Sequence, residues 1–258
     1  MKKLLGIIVL GLLLSGNVYA NMNGSYLFSE SFYTDCDIIT KNDLTTFQNI
    51  VFVKKNIIIG SDRRNGNQQE LFKTFAFNAK FFKGKDITIQ VNSEFLTKNK
   101  AKEQALKYAK MVGQLPIFSR ENIRTLTIHK GHFNWGAGNK NILIYTDWKD
   151  VASSSGKCEE EALLHESGHA SLDWAWGGSV KSSEWKKAAK ADNKFISKYA
   201  SQYPRREDVA ETINWWVAVR CKPDTISKSN YKKIIETIPN RLKYLDGLNY
   251  ETYPLVCK

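Results

Sequence analysis

The segment Glu159–Asp173, with the sequence EEEALLHESGHASLD, decides the fold of the region around it. Its three leading glutamates suit a first helical turn, because carboxylates there meet the positive end of the helix dipole. We predict one helix from Glu159 to about Ala175. On this helix His165 and His169 project from one face, about 6 Å apart along the axis. That face needs partners from other parts of the chain.

The two imidazoles are spaced to hold a single zinc ion, and Glu166 would stand beside that ion as a base. A zinc site of this kind takes a third protein ligand and leaves a fourth position for water. Asp173 is the nearest acidic residue, but on a straight helix it lies roughly 12 Å from His165. We therefore expect Asp173 to support a ligand or the structure and not to touch the metal.

The segment Glu207–Glu211, EDVAE, offers better acidic groups and opens a predicted helix at about Arg206–Cys221. Glu207 and Glu211 share a helical face. One can bind the metal while the other accepts a hydrogen bond from a histidine ligand and fixes its orientation. The alternative is an acidic first turn that serves only the helix dipole.

An HExxH motif followed a few dozen residues later by a helical Glu-x-x-x-Glu resembles the gluzincin metallopeptidases. Tyr199-Ala200 and the EDVAE helix are similar to the lethal-factor type, although Tyr199 stands one residue further from Glu207 than in that pattern. The segments IHKG (Ile128–Gly131) and GAGN (Gly136–Asn139) also resemble a family of exported proteins of unknown function.

The resemblance implies a zincin-like metallopeptidase domain of the α+β class, with a small mixed sheet followed by a helical C-terminal half. It implies Zn²⁺ as the cofactor, bound by His165, His169 and Glu207, with Glu211 behind a ligand. The substrate would be a peptide or protein, hydrolysed by a zinc-activated water with Glu166 as the general base.

A hydrogen-bond donor should stabilise the oxyanion of such a reaction. Tyr199 and Tyr203 are the candidates that join Glu166 as catalytic residues. His129 and His132 are further donors, because all four histidines of the chain fall between residues 129 and 169. For each donor the alternative is an ordinary, partly buried polar side chain.

The chain is β-rich before the histidine helix and helical after it, which predicts an α+β fold. We expect Gly131–Lys140 to be a loop, either lining the cleft or only connecting strands. Asn141–Tyr145 is expected to be the sheet edge that receives the substrate as an extra strand. Strands are predicted at Val51–Ile59, Thr74–Phe82, Ile87–Val91, Ile123–His129 and Asn141–Thr146, and further helices at Lys98–Val112 and Ser182–Ala200.

Residues 1–20 have the pattern of a signal peptide, with a basic start, the apolar run Leu4–Leu14 and a cleavage site at Val18-Tyr19-Ala20. We expect a β-rich region at 21–84, packed on a catalytic domain at 85–258, in a periplasmic or secreted protein. No other stretch is long and apolar enough to span a bilayer, so the mature chain should have no transmembrane segment.

Four cysteines in an exported chain predict two disulfides, with three connectivities open. A Cys158–Cys221 bridge would tie the two helices of the metal site together. Cys36–Cys257 would then tie the termini. We expect this pairing from position alone.

The formal charge of +12 is compatible with an anionic cell-envelope surface or acidic substrates as partners. The alternative, which the scatter of lysines over predicted helix surfaces favours, is that most of this charge is simply solvated. Nucleic acid is not an expected partner, because the chain has no recognised binding motif and little clustering of arginine. One alternative to a peptidase is a zinc-containing binding protein on an anionic cell surface that performs no catalysis. Another is a metal-free structural domain. A proteolytic toxin is a special case of the peptidase. Glu166 favours catalysis, because binding alone needs no base.

Overall fold

The computed structural model describes residues 19, 22, 24–31, 36–66, 68–148, 158–173 and 177–257. The predicted signal peptide lies outside the described residues except for Tyr19. Within them the protein is α+β, with a six-stranded mixed sheet and a separate two-stranded sheet. The strands are β1 (Tyr26–Phe28), β2 (Phe47–Asp62), β3 (Gln68–Phe81), β4 (Ile87–Asn92), β5 (Thr125–His129), β6 (Gly136–Gly138), β7 (Asn141–Tyr145) and β8 (Phe195–Ser197).

The large sheet has the strand order β2-β3-β4-β5-β7-β6. Strands β4, β5 and β7 are parallel, and the hairpin of β2 and β3 extends the sheet with antiparallel pairing. The predicted strands at Ile87–Val91, Ile123–His129 and Asn141–Thr146 are confirmed within a residue or two. Because β3 pairs directly with β4, the boundary expected near residue 84 falls inside one continuous sheet.

The prediction that Asn141–Tyr145 is the sheet edge is wrong. Strand β7 is internal, paired with β5 on one side and β6 on the other. Within the described residues, the edge strand at this end of the sheet is β6, which lies inside the segment expected to be a loop. Its three residues, GAG, carry no alternation of apolar and polar side chains, so the pattern that marks a strand is missing.

The second half of the chain is mainly helical, as the sequence predicts. Among the described residues, no helix is long and apolar enough to cross a membrane. The helices are α1 (Lys98–Gln114), α2 (Ile117–Arg120), α3 (Glu159–Ser167), α4 (Ser182–Asp192), α5 (Lys198–Gln202), α6 (Asp208–Cys221), α7 (Lys228–Thr237) and α8 (Pro239–Asp246).

Helix α4 is shorter than the predicted Ser182–Ala200. It ends at Asp192 because Asn193 adopts a left-handed conformation with φ 52°, which stops an α-helix. The next residues form β8, which pairs in parallel with β1 near the start of the described chain. This partner is far away in sequence, so local periodicity could not reveal the strand.

Helices α3 and α6 pack side by side in opposite directions. The side-chain amide of Asn214 on α6 donates a hydrogen bond to the backbone oxygen of Glu161 on α3, with an N···O distance of 3.0 Å. This hydrogen bond defines the position of the two helices along their common axis. At that position the first turn of α6 lies beside the histidines at the end of α3.

The two predicted disulfides form, but the expected pairing is wrong: the bridges are Cys36–Cys158 and Cys221–Cys257. Because Asn214 lies opposite Glu161, Cys158 and Cys221 differ by about 6 Å along the helix axes. The usual 8–10 Å between packed helices adds to this offset, so the pair lies beyond the roughly 7 Å reach of a disulfide.

Candidate metal centre

The histidine helix changes its winding at the site. Helix α3 ends at Ser167 and continues as a π-helix over Gly168–Asp173, so the motif crosses the junction between the two. Wider turns of this kind often occur at functional sites. A Cβ atom added at Gly168 would lie 3.0 Å from the Cα of Ala210 on α6. The glycine therefore allows α6 to approach α3 closely.

Three side chains converge at this contact, as the sequence predicts. The Oε2 atom of Glu207 lies 3.1 Å from Nε2 of His169 and 3.5 Å from Nε2 of His165. Across the three residues, one potential ligand atom from each lies within 4.8 Å of the others. Tetrahedral zinc with bonds of about 2.0–2.1 Å separates its ligand atoms by about 3.3 Å. The two histidines and one carboxylate thus fit zinc in both chemistry and spacing.

The opposite ring nitrogens face two further carboxylates. Nδ1 of His165 lies 3.4 Å from Oε1 of Glu211, and Nδ1 of His169 lies 3.6 Å from Oδ2 of Asp173. A carboxylate behind a histidine fixes its tautomer and leaves Nε2 to bind a metal. Glu211 and Asp173 therefore each lie behind one of the two histidines.

Glu211 is held from two other segments. The Ser197 hydroxyl at the end of β8 donates to its Oε2 atom at 2.5 Å, and the Ser31 hydroxyl donates to its Oε1 atom. The Glu211 side chain is fully buried. Both serines were missed by the sequence analysis, because nothing local to them indicates a contact with a distant glutamate.

The electrostatics of the cluster favour a bound cation. Burial opposes the charge of Glu207, but hydrogen bonds from His165 and His169 outweigh it and hold its pKa well below the ordinary range. Burial alone would lower the pKa of His169, yet Asp173 and Glu207 raise it to about 10. Burial raises the pKa of Glu211. The cluster thus attracts a positive charge, which can be a proton or a metal ion.

A cleft of about 770 Å³ opens over the cluster. Glu166 faces it beside the histidines, and its Oε2 atom is buried with no hydrogen-bond partner among the described residues. The edge strand β6 lines part of the cleft, and so do residues of α5 and of the segment just before α6. The cleft therefore brings an unpartnered carboxylate oxygen and the edge strand β6 to the cluster of His165, His169 and Glu207.

The four candidate oxyanion donors occupy different places. Tyr199 lines the cleft close to Glu207, and burial with this carboxylate raises its pKa to about 12, so the hydroxyl keeps its proton. Tyr203 packs on Tyr199 but is 47% exposed and does not line the cleft. His129 is fully buried in another polar cluster, and the exposed His132 ring contacts the backbone of Asp147. Of these donors, Tyr199 is the one that reaches the site.

The cleft also contains groups that the sequence analysis did not single out. Arg63 comes from the turn between β2 and β3, Trp135 immediately precedes β6, and Trp148 follows β7. None lies near the histidine motif in the chain, and only the folded sheet brings them there.

Searches against protein families, curated proteins and solved structures found no match for this chain.

Proposed function

We propose that the protein is an exported zinc metallopeptidase with a zincin-like fold. One observation carries the proposal: Glu166 presents an unpartnered carboxylate oxygen in the same cleft in which His165, His169 and Glu207 converge. A purely structural cluster has no use for that carboxylate. A hydrolase needs a base at this position.

Each of these residues has a distinct role in the proposed hydrolysis of a peptide bond. When bound by His165, His169 and Glu207, zinc would polarise a scissile carbonyl and bring the pKa of a water to about 7. Glu166 takes the proton of the attacking water and passes it to the leaving amine. Tyr199 donates a hydrogen bond to the oxygen that becomes negatively charged.

The edge strand supports a peptide as the substrate. An extended peptide can pair with the outer side of β6 through main-chain hydrogen bonds and lie along the cleft. Two of the three residues of β6 are glycine, so few side chains stand in its way. The two disulfides agree with export into an oxidising compartment.

Cleavage of a diverse peptide pool, read by mass spectrometry, tests the proposal. The matched control is Glu166→Gln, which keeps the shape of the side chain and removes the base. We expect cuts with the zinc-loaded protein and none with the variant, with equal zinc content in both. Zinc bound by both proteins without any cleavage would favour a zinc-containing binding protein, and absence of zinc from both would favour a metal-free domain.

A further inference from the structure

The cleft is lined by four cationic side chains that the proposed reaction does not use. They are Arg63, Lys198, Arg205 and Arg206. Arg206 lies 3.4 Å from Glu207 while remaining 72% exposed. The other three have no carboxylate within ion-pair distance among the described residues. These charges therefore remain available to a bound molecule.

Hydrogen bonds to three other residues hold Arg63 in place. Its backbone N–H donates to the Tyr145 hydroxyl at 2.6 Å, and its guanidinium donates to the backbone oxygens of Asn134 and Trp135. A Cβ atom at Gly136 would fall 1.9 Å from Nη2 of Arg63. The guanidinium thus occupies the space of the missing side chain on β6, directly beside the edge at which a peptide would pair.

These hydrogen bonds orient the Arg63 side chain without neutralising its charge, because the guanidinium donates to backbone carbonyl oxygens, which carry no net charge. Lys198 on α5 and Arg205 in the segment that follows also line the cleft and are exposed. Among the described residues that line the cleft, these four cations outnumber the three carboxylates of Glu166, Glu207 and Asp173, of which the last two contact the histidines. A bound zinc ion would increase the positive excess further.

We propose that this cleft selects peptides with Asp or Glu side chains on both sides of the scissile bond. Arg63 binds one carboxylate beside β6, and Arg205 and Lys198, which come from a different segment of the cleft lining, bind another. Guanidinium and carboxylate groups form paired, charge-assisted hydrogen bonds, which give geometric selection as well as attraction. The inference rests on the proposed function, because it names the substrate class of that site.

Peptide binding to the zinc-loaded Glu166→Gln protein tests the inference without turnover. The probes are synthetic peptides of one scaffold sequence that carry Glu, Gln or Lys at the variable positions, measured by calorimetry. We expect the Glu peptide to bind at least about tenfold more tightly than the Gln peptide, and the Lys peptide more weakly still. Arg63→Gln and Arg205→Gln should each remove most of this preference. Lys54→Gln, on the same hairpin but outside the cleft, should retain it.

Equal binding of the Glu and Gln peptides would overturn the inference, and so would an unchanged preference in both arginine variants. Binding of dextran sulfate without binding of any peptide would also overturn it, because an anionic polymer would then be the occupant. Cleavage by the wild-type protein separates the two proposals. Selective binding of the Glu peptide without cleavage rejects the peptidase, whereas cleavage without acidic preference rejects the charge selection.

Discussion

Oε1 of Glu211 lies 3.4 Å from Nδ1 of His165, on the side of the ring opposite to Glu207. The same ring therefore faces one carboxylate at each nitrogen, and the two glutamates come from successive turns of one helix. In the proposed zinc site Glu207 would bind the metal, whereas Glu211 would only orient His165. The two carboxylates should thus respond differently to substitution.

We expect Glu207→Gln to lose zinc, because it removes the charged ligand. Glu211→Gln should retain zinc with about 10–100-fold lower affinity, because the histidine keeps a hydrogen-bond partner but loses its negative charge. Titration against a chelator and elemental analysis after dialysis measure both values. Full zinc retention by both variants would refute the assignment of Glu207 as a ligand.

Gly168→Ala should weaken zinc binding although residue 168 touches no metal. The new Cβ would lie 3.0 Å from the Cα and 3.3 Å from the Cβ of Ala210, so α6 must move away from the histidines. We expect a loss of about 1–3 kcal/mol in the free energy of unfolding, together with lower zinc affinity. Gly247→Ala is the control, because its Cβ would meet its nearest neighbour at 3.4 Å, an ordinary contact. Equal zinc affinity in the Gly168 variant and the control would contradict this view of the helix contact.

The convergence of His165, His169 and Glu207 could be predicted because its signals are local. His165 and His169 share one helix, Glu207 and Glu211 share another, and each pair shows the spacing of one helical face. Predicting that the two helices meet required one further argument. A zinc ion held by two histidines needs a third protein ligand, and the acidic pair on the other helix can supply it.

The walls of the cleft could not be predicted, because they depend on long-range pairing. Strand β6 is defined by its hydrogen bonds to β7 and not by its own side chains. Arg63 reaches the site only because the long hairpin brings its turn to the end of β6. The disulfide pairing likewise depends on how α3 and α6 are positioned along their axes relative to each other, which the sequence does not specify.

Loss of Cys36–Cys158 should cost more stability than loss of Cys221–Cys257. The bridges close loops of 122 and 36 residues, and chain entropy gives about 5 and about 4 kcal/mol respectively. Urea unfolding of the two double Cys→Ser variants compares them under the same conditions. A smaller loss for Cys36→Ser/Cys158→Ser would show that the entropy of the unfolded chain does not determine the order.

Acid should destabilise the protein partly through Asp62, which lies in a polar cluster outside the metal centre. The Arg64 side chain donates to both carboxylate oxygens of Asp62, and the Tyr145 hydroxyl donates to Oδ1 at 3.0 Å. Burial opposes ionisation, but these hydrogen bonds prevail and lower the pKa of Asp62 to about 2.

Because the pKa of Asp62 is lower in the folded state than its unfolded value of about 3.9, the ionised carboxylate stabilises the fold above about pH 4. This contribution is lost as the pH falls from about 4 to about 2. The variant Asp62→Asn lacks it at every pH. We therefore expect the difference in unfolding free energy between wild type and variant to be constant near neutral pH and to narrow below about pH 4. Urea unfolding across this range measures it, with the exposed Asp224→Asn as the control, and a difference that stays constant down to about pH 2 would refute the role of the ionised Asp62.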